Sequence, residues 1–395
     1  MSLKTIFDHI LFAILSIVSR FTPRSRKKWV YTAGNGKRFA ENSKYLYLNN
    51  INADDGIKHI WIGTSGVLVE ELKSADLRAY SLHSIRGKYH LLTAGIAVET
   101  HGPQLGQYLG GATIIDTHHG NALKLMGDDE LAADTQDWVS SIKQWIWNKL
   151  VTVSYFQVTN EGIPKVTFQK AKNLADSEIL VAPYPRLDPF FGHNSLFKIV
   201  TNTNMLNKIQ NQSDKKDIVV YAPTWREAFD KQNGSPLTDI LPNFRDIDRL
   251  LEQTGAVMYV STHPREPIEI DFGKYENIFD FNTGGDMYPY LPYCDILVTD
   301  YSSIFYDFLF TNQPICFYAP DLIEYRSSRG LYFEYAEHVP GPISESTSEL
   351  IDDLELALTG KDNYSKKRAE RLCEFYTVPD RKPSENTRKE IMDTI

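Results

Sequence analysis

Short apolar runs that are typical of buried strands alternate with helix-like runs along this chain, in two successive series. The first series of strand-like runs lies at residues 28–33, 59–63, 79–82, 112–116 and 178–182. The second lies at residues 217–223, 256–261, 277–281, 295–299 and 314–318. Strands that alternate with helices form parallel sheets with helices packed on both faces. The pattern therefore predicts an α/β protein with two facing Rossmann-like domains.

The length of the chain also favours two domains. The sequence has 395 residues, whereas a single hydrophobic core rarely serves more than about 300 residues. Two segments are less regular: residues 88–97 fit either a strand or a helix, and residues 136–158 predict one long aromatic helix. We expect a membrane-associating helix with a basic run at 1–28, Rossmann-like domains at 29–200 and 201–360, and a charged helical tail at 361–395.

The overall charge and the cysteines exclude several kinds of protein. The formal net charge is −9 and the sequence pI is about 5.6, so there is no global basic field to bind nucleic acid. The three cysteines, an odd number, are widely spaced, which fits neither a disulfide framework nor a zinc site. We therefore expect no nucleic-acid partner. No metal-ligand cluster stands out elsewhere in the sequence, and no Walker loop or GxGxxG motif appears, so we also expect no bound metal and no cofactor.

The N-terminal segment combines apolar and basic residues. Residues 6–18 are apolar except for Asp8 and His9, and a basic run follows at residues 23–28. The segment is shorter than the roughly 20 residues of a spanning helix, and most of its positive charges follow the apolar run rather than precede it as in a signal peptide. The pattern favours a helix in the membrane interface, peripheral at the cytoplasmic face, with its cations on an anionic surface. A helix packed on the core, a partner surface and a true span are the alternatives.

Polar side chains follow the strands of the second series at the points where those strands end. Ligands of parallel sheets bind at such carboxyl ends. Ser302 and Ser303 precede an apolar helix, whose free N–H groups bind phosphate, although an ordinary helix cap is the alternative. His263 suits a phosphate contact or acid–base work, or a structural bond to a carbonyl group. The other candidates at these strand ends are Thr224, Arg226, Arg265 and Asp300.

Two adjacent histidines follow a strand of the first series. His118 and His119 come after the run at residues 112–116, and Gly120 follows them. Neighbouring side chains of an extended segment point apart, so one histidine could face a cleft between the domains. A glycine at this point allows the backbone to approach a ligand closely. A structural role for either histidine is the alternative.

Several motifs together resemble those of the CDP-glycerol glycerophosphotransferase family, the teichoic acid primases and polymerases. Asn42–Leu46 resembles the Asn-Ser-Lys-Tyr-Leu element of that family's first domain. Thr117–Lys124 resembles its Trp-His-Gly-Thr-Pro-Leu-Lys, which aligns His119 with the family's catalytic histidine. The resemblance extends from about residue 28 to about residue 343. Its other motifs are Tyr184–Asp188, Tyr221–Arg226, Thr262–Pro264, Thr299–Ser303, Tyr332–Tyr335 and Val339–Ile343.

This resemblance implies a GT-B type fold with an acceptor-side N-terminal domain and a nucleotide-binding C-terminal domain. It implies that an acceptor hydroxyl attacks the β-phosphate of CDP-glycerol, or of another CDP-polyol, and releases CMP. The implied acceptor is a lipid-linked glycan or a teichoic-acid-like polymer. His119 would be the base, with His263 as the second catalytic residue. The implied substrate and phosphate contacts are Arg265, Ser302, Ser303, Asp300, Arg226, Thr224, Arg186 and Asp188.

The chain departs from the family pattern on the acceptor side. Trp-His-Gly-Thr-Pro is replaced by His-His-Gly-Asn-Ala around His119, and residues 90–101 also differ. The acceptor is therefore less determined than the donor, and ribitol or another alcohol is an alternative to glycerol as the polyol. No oligomeric state follows from the sequence. Two alternatives stand beside the family function: a UDP-sugar transferase or epimerase of the same fold, and a membrane-bound nucleotide-binding protein without catalysis.

Overall fold

The chain forms two parallel sheets that are covered by helices and packed against each other. The computed structural model describes residues 12, 14–103, 105–129, 152–192, 194–226, 236–261, 270–377 and 381–395. Every described strand pair is parallel. The predicted α/β class with two Rossmann-like units is confirmed.

The first sheet is built around a buried central strand. Its strands are β1 (Ser25–Thr32), β2 (Lys58–Gly63), β3 (Ala79–Ser81), β4 (Ala94–Glu99), β5 (Thr113–Asp116), β6 (Tyr155–Val158) and β7 (Ile179–Val181). They lie in the order β3-β2-β1-β4-β5-β6-β7. Val30 of β1 lies opposite Ile60 on one side and Ala97 on the other. Strands β2 and β3 are added on one side of β1, whereas the strands from β4 onwards are added on its other side. Because the strand order reverses between β1 and β4, the carboxyl ends of these two strands border a crevice.

The second sheet repeats this plan with six strands. They are β8 (Ile218–Ala222), β9 (Val257–Val260), β10 (Ile278–Asp280), β11 (Ile296–Thr299), β12 (Ile315–Tyr318) and β13 (Ile343–Ser344). Their order is β10-β9-β8-β11-β12-β13, so the reversal falls between β8 and β11. The polar residues that end these two strands therefore border the crevice of this sheet.

Helices cover the faces of both sheets. The first, α1, occupies residues 14–20. The helices that pack around the first sheet are α2 (Glu41–Asn50), α3 (Gly66–Ser74), α4 (Ile85–Thr93) and α5 (Ile163–Lys172). The remaining helices are α6 (Thr203–Ser213), α7 (Pro236–Ile240), α8 (Phe244–Thr254), α9 (Ile304–Phe308), α10 (Leu322–Arg329), α11 (Tyr335–His338), α12 (Thr347–Leu358), α13 (Ser365–Phe375) and α14 (Pro383–Thr394).

The two less regular segments, residues 88–97 and 136–158, contain strands as well as helical or undescribed residues. The run at residues 88–97 divides, since α4 ends at Thr93 and β4 begins at Ala94. The long helix predicted for residues 136–158 is wrong at its end, where Tyr155–Val158 forms β6. Aromatic and β-branched residues favour a strand that is paired on both sides, as this one is by β5 and β7. Residues 136–151 lie outside the described residues.

Helix α1 packs through its small residues and exposes its apolar ones. Ser16 and Ser19 are fully buried. A Cβ atom on Gly110 would lie 2.6 Å from the Ser16 carbonyl oxygen and from the Ser19 Oγ, so this glycine permits the close approach. Among the described residues, no helix combines the length and apolar character that crossing a bilayer requires. The side chains that α1 and its C-terminal end turn outward are Ile14, Ile17, Val18 and Phe21.

The basic run after α1 differs from the expected cationic tail. The Arg24 guanidinium donates to the carbonyl oxygens of Leu91 (2.9 Å) and Ala94 (2.8 Å), so its charge is used to join α1 to the first sheet. Residues 25–28 are the first residues of β1. Strand pairing thus fixes residues that the sequence had suggested for lipid contact, although Arg26 and Lys27 remain exposed.

Buried ion pairs join the two domains. Lys44 of α2 contacts Asp286 at 2.7 Å, and both side chains are almost completely buried. Arg186, which follows β7, contacts Asp307 of α9 at 2.6 Å and is equally buried. A single cluster of buried apolar residues also contains Tyr45 from the first domain together with residues of the second sheet. The two sheets therefore share a core across the cleft.

The last two helices pack on different domains. In α13, Arg368 donates to the Asn312 carbonyl oxygen (2.9 Å), which attaches this helix to the second domain. Helix α14 returns to the first domain, where Arg388 pairs with Asp55 at 2.6 Å. Ile391 of α14 is fully buried in the core of the first sheet. The tail predicted at residues 361–395 thus contributes a helix to each domain.

Candidate active site

Hydrogen bonds shape the loop that follows β5 and carries the two histidines. The His118 N–H group donates to the Asp116 carboxylate at 2.9 Å. The side-chain amide of Asn42 donates to the carbonyl oxygens of Thr117 (2.9 Å) and His118 (2.7 Å). His118 itself has a positive φ of 51°, a conformation that a non-glycine residue adopts only when its surroundings hold it. The asparagine of the Asn-Ser-Lys-Tyr motif thus fixes the histidine loop.

The two histidines of this loop occupy opposite environments. His118 is only 5% exposed, and its ring packs on Phe156 and Phe168 at centroid distances of 5.1 and 4.9 Å. The side chain of His119 is exposed to solvent. His119 is therefore the histidine of the pair that is accessible to a substrate.

The glycine after His119 brings the loop against the second domain. Gly120 has a φ of +148°, and a Cβ atom at this position would lie 2.7 Å from the Ser303 Oγ and 3.1 Å from Nη2 of Arg186. Only a residue without a side chain permits this approach. The structure therefore brings together His119, Arg186 and Ser303, three residues that the sequence predicts for the site.

The surroundings of His119 favour its neutral form. Although its side chain reaches solvent, surrounding protein atoms desolvate the ring, and this burial is the largest effect that lowers the pKa of His119 well below its ordinary value. Positive neighbours lower it further. An unprotonated imidazole at neutral pH is the form that accepts a proton from a hydroxyl group. The neighbours that contribute, in decreasing order, are His101, Arg186, Lys172 and Lys124.

Arg186 is buried beneath the His119 loop and is bonded to its backbone. Its Nη1 donates to the His119 carbonyl oxygen (2.5 Å) and to Glu41 (3.1 Å), and its Nη2 donates to Asp307 (2.6 Å). The residue is 1% exposed. A guanidinium that is buried and shared in this way positions the loop, which differs from the direct substrate contact expected for Arg186.

A second buried network closes the crevice of the second sheet. The backbone N–H groups of Thr224 and Tyr301 donate to Asp300 at 2.8 and 2.6 Å. Arg226 pairs with Asp300 (2.9 Å) and with Asp321 (2.8 Å) and lies over the Tyr301 ring. The charges of Arg226 and Asp300 therefore compensate each other. The buried Thr224 hydroxyl has no hydrogen-bond partner within the described part of the chain.

The two serines at the start of α9 differ in their contacts. The Ser302 Oγ accepts a long bond from the Ile304 N–H group at 3.4 Å. Ser303 stands at the helix N-cap and makes no side-chain capping bond. Both side chains are partly exposed, and Ser303 contacts Gly120, so its hydroxyl lies at the junction of the two domains.

The remaining candidates lie elsewhere or are not described. The Asp188 carboxylate accepts hydrogen bonds from the N–H group (2.9 Å) and the hydroxyl group (2.5 Å) of Ser384 in α14. Burial raises the pKa of Asp188 to about 7. Asp188 thus attaches α14 rather than lining the cleft with His119. His263 and Arg265 lie outside the described residues.

Sequence reasoning missed several residues of this site. Glu41 and Asp307 hold Arg186, and Tyr288 donates to the same Asp307 carboxylate at 2.6 Å. His101 stacks on His119 with a ring-centroid distance of 4.9 Å. The signal for His101 was its position two residues beyond the end of β4. No signal marked the others, because they meet Arg186 only through folding. Within the described ranges, no three metal-ligating side chains converge.

Several known proteins of similar sequence are named as teichoic acid polymerases or transferases. A sequence model of the family described as CDP-Glycerol:Poly(glycerophosphate) glycerophosphotransferase matches residues 14–393. The teichoic acid poly(glycerol phosphate) polymerase of Bacillus spizizenii is 27% identical, over 94% of this chain and 93% of that protein. The teichoic acid glycerol-phosphate transferase of Staphylococcus aureus is 24% identical, over 97% of each protein.

Solved structures share the fold. A variant of the wall teichoic acid polymerase TagF soaked with CDPG superposes with a TM-score of 0.76 at 22% identity, over 97% of this chain and 93% of that one. The UDP-GlcNAc 2-epimerase from Neisseria meningitidis superposes with a TM-score of 0.54 at 12% identity, over 93% of this chain and 99% of that one. The two-domain architecture is thus common to proteins of different chemistry.

Proposed function

The chain belongs to the CDP-glycerol:poly(glycerophosphate) glycerophosphotransferase family, and we propose that it transfers glycerol phosphate, or a related polyol phosphate, from a CDP-polyol to a hydroxyl group of a teichoic-acid-like acceptor. The observation that carries this proposal is the exposed side chain of His119 on a loop whose next residue, Gly120, packs against Ser303 of the second domain. The family description supports a CDP-glycerol donor, and the related polymerases and transferases support a teichoic acid polymer as the acceptor. Single addition and polymerisation use the same chemistry at such a site.

In the proposed reaction, His119 acts as the general base. The acceptor oxygen forms a bond to the β-phosphorus of the donor, while the hydroxyl proton passes to a ring nitrogen of His119. The bond between that phosphorus and the bridging oxygen breaks, and the bridging oxygen leaves with CMP. A positioned base contributes a factor of about 100 to 10,000 to such a step. The Arg186 bond to the His119 carbonyl oxygen holds this base in place.

On the donor side, we assign the phosphates to the start of α9. Ser303 has a hydroxyl group without a capping bond next to the His119 loop, and Ser302 precedes it. The buried Thr224 hydroxyl, which has no partner among the described residues, is a further donor at the end of β8. Hydroxyl and N–H donors stabilise the charge that develops on a leaving phosphate. The sequence predictions for His263 and Arg265 add a second catalytic group and a cation, which remain proposals from their motif.

Arg226 and Asp300 have a supporting role in this proposal. Both charges are satisfied within the protein, since Arg226 pairs with two carboxylates. Asp300 in turn fixes the backbone of Thr224 and Tyr301 on either side of the crevice. Their substitution would therefore displace the donor site rather than remove a phosphate ligand.

Helix α1 supports a membrane-bound, lipid-linked acceptor. Its serines pack inward on Gly110, while its apolar side chains point to solvent, as expected of a helix that lies in the membrane interface. Arg26 and Lys27 are exposed nearby in the sequence and suit anionic headgroups. We propose that the enzyme binds the cytoplasmic face of the membrane peripherally through this surface. Sedimentation of the full chain with vesicles, with and without anionic lipid, tests it directly.

The proposed reaction is tested by CMP release from CDP-glycerol, CDP-ribitol and UDP-sugars, with native membranes as the acceptor. We expect release from a CDP-polyol, and a fall of about 100-fold or more in His119→Ala. His83→Ala removes another exposed histidine and serves as the matched control. Turnover of UDP-sugars alone would contradict the donor, and full activity of His119→Ala would contradict the base.

A further inference from the structure

A third histidine stacks on the proposed base. The ring of His101 lies nearly parallel to that of His119, with an interplanar angle of 12° and a centroid distance of 4.9 Å. His101 is exposed, as His119 is, so both rings border the same solvent-filled space. The His118 ring also lies near that of His119, at a centroid distance of 4.2 Å, but it is tilted and buried. Among the described residues, His101 is therefore the ring that stacks nearly parallel on His119.

The loop that carries His101 is anchored to the His119 loop. The Thr117 N–H group donates to the Glu99 carbonyl oxygen at 2.8 Å, and the hydroxyls of Thr100 and Thr117 lie 3.3 Å apart. Thr100 is also held by the Ser43 hydroxyl at 2.7 Å. These bonds flank His101 on its N-terminal side, so the stacking is a consequence of two fixed backbones rather than of a mobile side chain.

We propose that His101 is a positioning residue that holds the His119 ring in one orientation, and that the two rings accept no more than one proton between them near neutral pH. Stacking restricts rotation of the His119 side chain, so its nitrogen already points to the acceptor oxygen before reaction. Two parallel imidazolium rings at this separation would repel each other. The second part of the proposal rests on this geometry and on the charges around the rings, whereas the first part rests on the proposed role of His119 as base.

The other charged groups around His101 and His119 also disfavour protonation of the two rings. Among the described residues, the Lys and Arg side chains with the largest effect on His119 are Lys124 from its own loop, Lys172 from α5 and Arg186 from the segment after β7. Glu41 and Asp307 neutralise Arg186 by direct pairing. Asp116 lies below the loop and is bonded to the His118 N–H group. With more positive than negative charge near the rings, the first proton is already disfavoured and a second is more so.

Two substitutions separate stacking from charge. His101→Phe keeps a flat ring beside His119 and removes the second titrating group. His101→Ala removes both. We expect His101→Ala to lower kcat about fivefold, because an aromatic pair contributes that much beyond its buried area, with little change of KM for the donor. We expect His101→Phe to retain kcat within about twofold of the wild type. His83→Ala again serves as the control.

The titration is measured without substrate on the full chain. The measurement uses ¹⁵N-histidine spectra, in which the His119 signals are assigned by their loss in His119→Ala. We expect both His101 variants to raise the titration midpoint of His119 by about half a pH unit, because each removes one charge at this distance. Unchanged midpoints would overturn the proposed limit of one proton for the two rings. Equal losses of kcat in the two variants, or none in either, would overturn the positioning role. Full activity of His119→Ala would overturn the base but leave the titration result intact.

Discussion

The contact between Gly120 and Ser303 makes Gly120→Ala the most informative single substitution. The new Cβ atom would lie 2.7 Å from the Ser303 Oγ and 3.1 Å from Nη2 of Arg186, at a φ of +148°. A real Cβ atom does not tolerate a distance of 2.7 Å, so the Ser303 hydroxyl, the His119 loop or the start of α9 must move. Each of these shifts changes the position of the proposed phosphate site relative to the proposed base.

The expected loss of stability in Gly120→Ala has two parts. A non-glycine residue in this backbone region costs about 1–3 kcal/mol, and an added methyl group in a packed contact costs about 1–3 kcal/mol more. The sum of about 2–6 kcal/mol is a large share of the roughly 5–15 kcal/mol that stabilises a typical protein. A displacement of about 1 Å at reacting groups lowers the rate about 100-fold. We therefore expect a destabilised and nearly inactive protein.

Gly56→Ala is the matched control. Gly56 also has a positive φ of 69°, but a Cβ atom there meets nothing within 4 Å. It should cost only the backbone term of about 1–2 kcal/mol and leave CMP release unchanged. The double variant Gly120→Ala with Ser303→Gly removes the obstructing hydroxyl and should recover the packing term but not the backbone term.

The assays are urea unfolding followed by fluorescence and CMP release from CDP-glycerol at a temperature where the variant is folded. If Gly120→Ala matched Gly56→Ala in both stability and activity, the close approach of the His119 loop to Ser303 would be refuted. If the double variant were no more stable than Gly120→Ala, the obstruction would lie elsewhere than at the serine.

Three further predictions test the interface, the loop and the membrane surface. Lys44→Met leaves the buried Asp286 carboxylate without its cation and should lower the free energy of unfolding by about 3–5 kcal/mol in urea titrations. Adding Asp286→Asn to this variant should restore about half of that loss. Burial raises the pKa of Asp116 from 3.8 to about 6, so the unfolded chain releases this proton first as the pH rises. The wild type should therefore lose about 2.4 kcal/mol relative to Asp116→Asn between pH 4 and pH 7. A pH-independent difference would contradict the burial. Ile17→Asp should weaken sedimentation with anionic vesicles about tenfold, whereas Ile323→Asp, on α10, should not.

The alternation of strands and helices was sufficient to predict the architecture, because it depends on local residue patterns. The predicted run at residues 295–299 became β11 (Ile296–Thr299), and the serines after it begin a helix as expected. The prediction failed at Tyr155–Val158, where apolar aromatic residues fit a helix and a strand equally well. Pairing with β5 and β7, which decides the outcome, cannot be read from the segment itself.

The candidate site was predictable only in part, since position at a strand end does not reveal what a side chain contacts. His119 and Ser303 are close together, as their strand-end positions suggested. Arg186 and Asp188 belong to a family-like motif, yet one is buried against Asp307 and the other binds Ser384. Those partners lie more than 100 residues away along the chain, so only the folded structure identifies them.

The return of α14 to the first domain has a consequence for synthesis on the ribosome. The first sheet is complete once β7 has emerged, but its core still lacks Ile391 and its surface lacks the pairing of Arg388 with Asp55. Roughly 200 further residues must be translated before this helix can dock. At about 5–20 residues per second the first domain waits about 10–40 s with an uncovered apolar face. Chaperone occupancy of the nascent chain should therefore persist through translation of the second domain and end only when α14 leaves the exit tunnel.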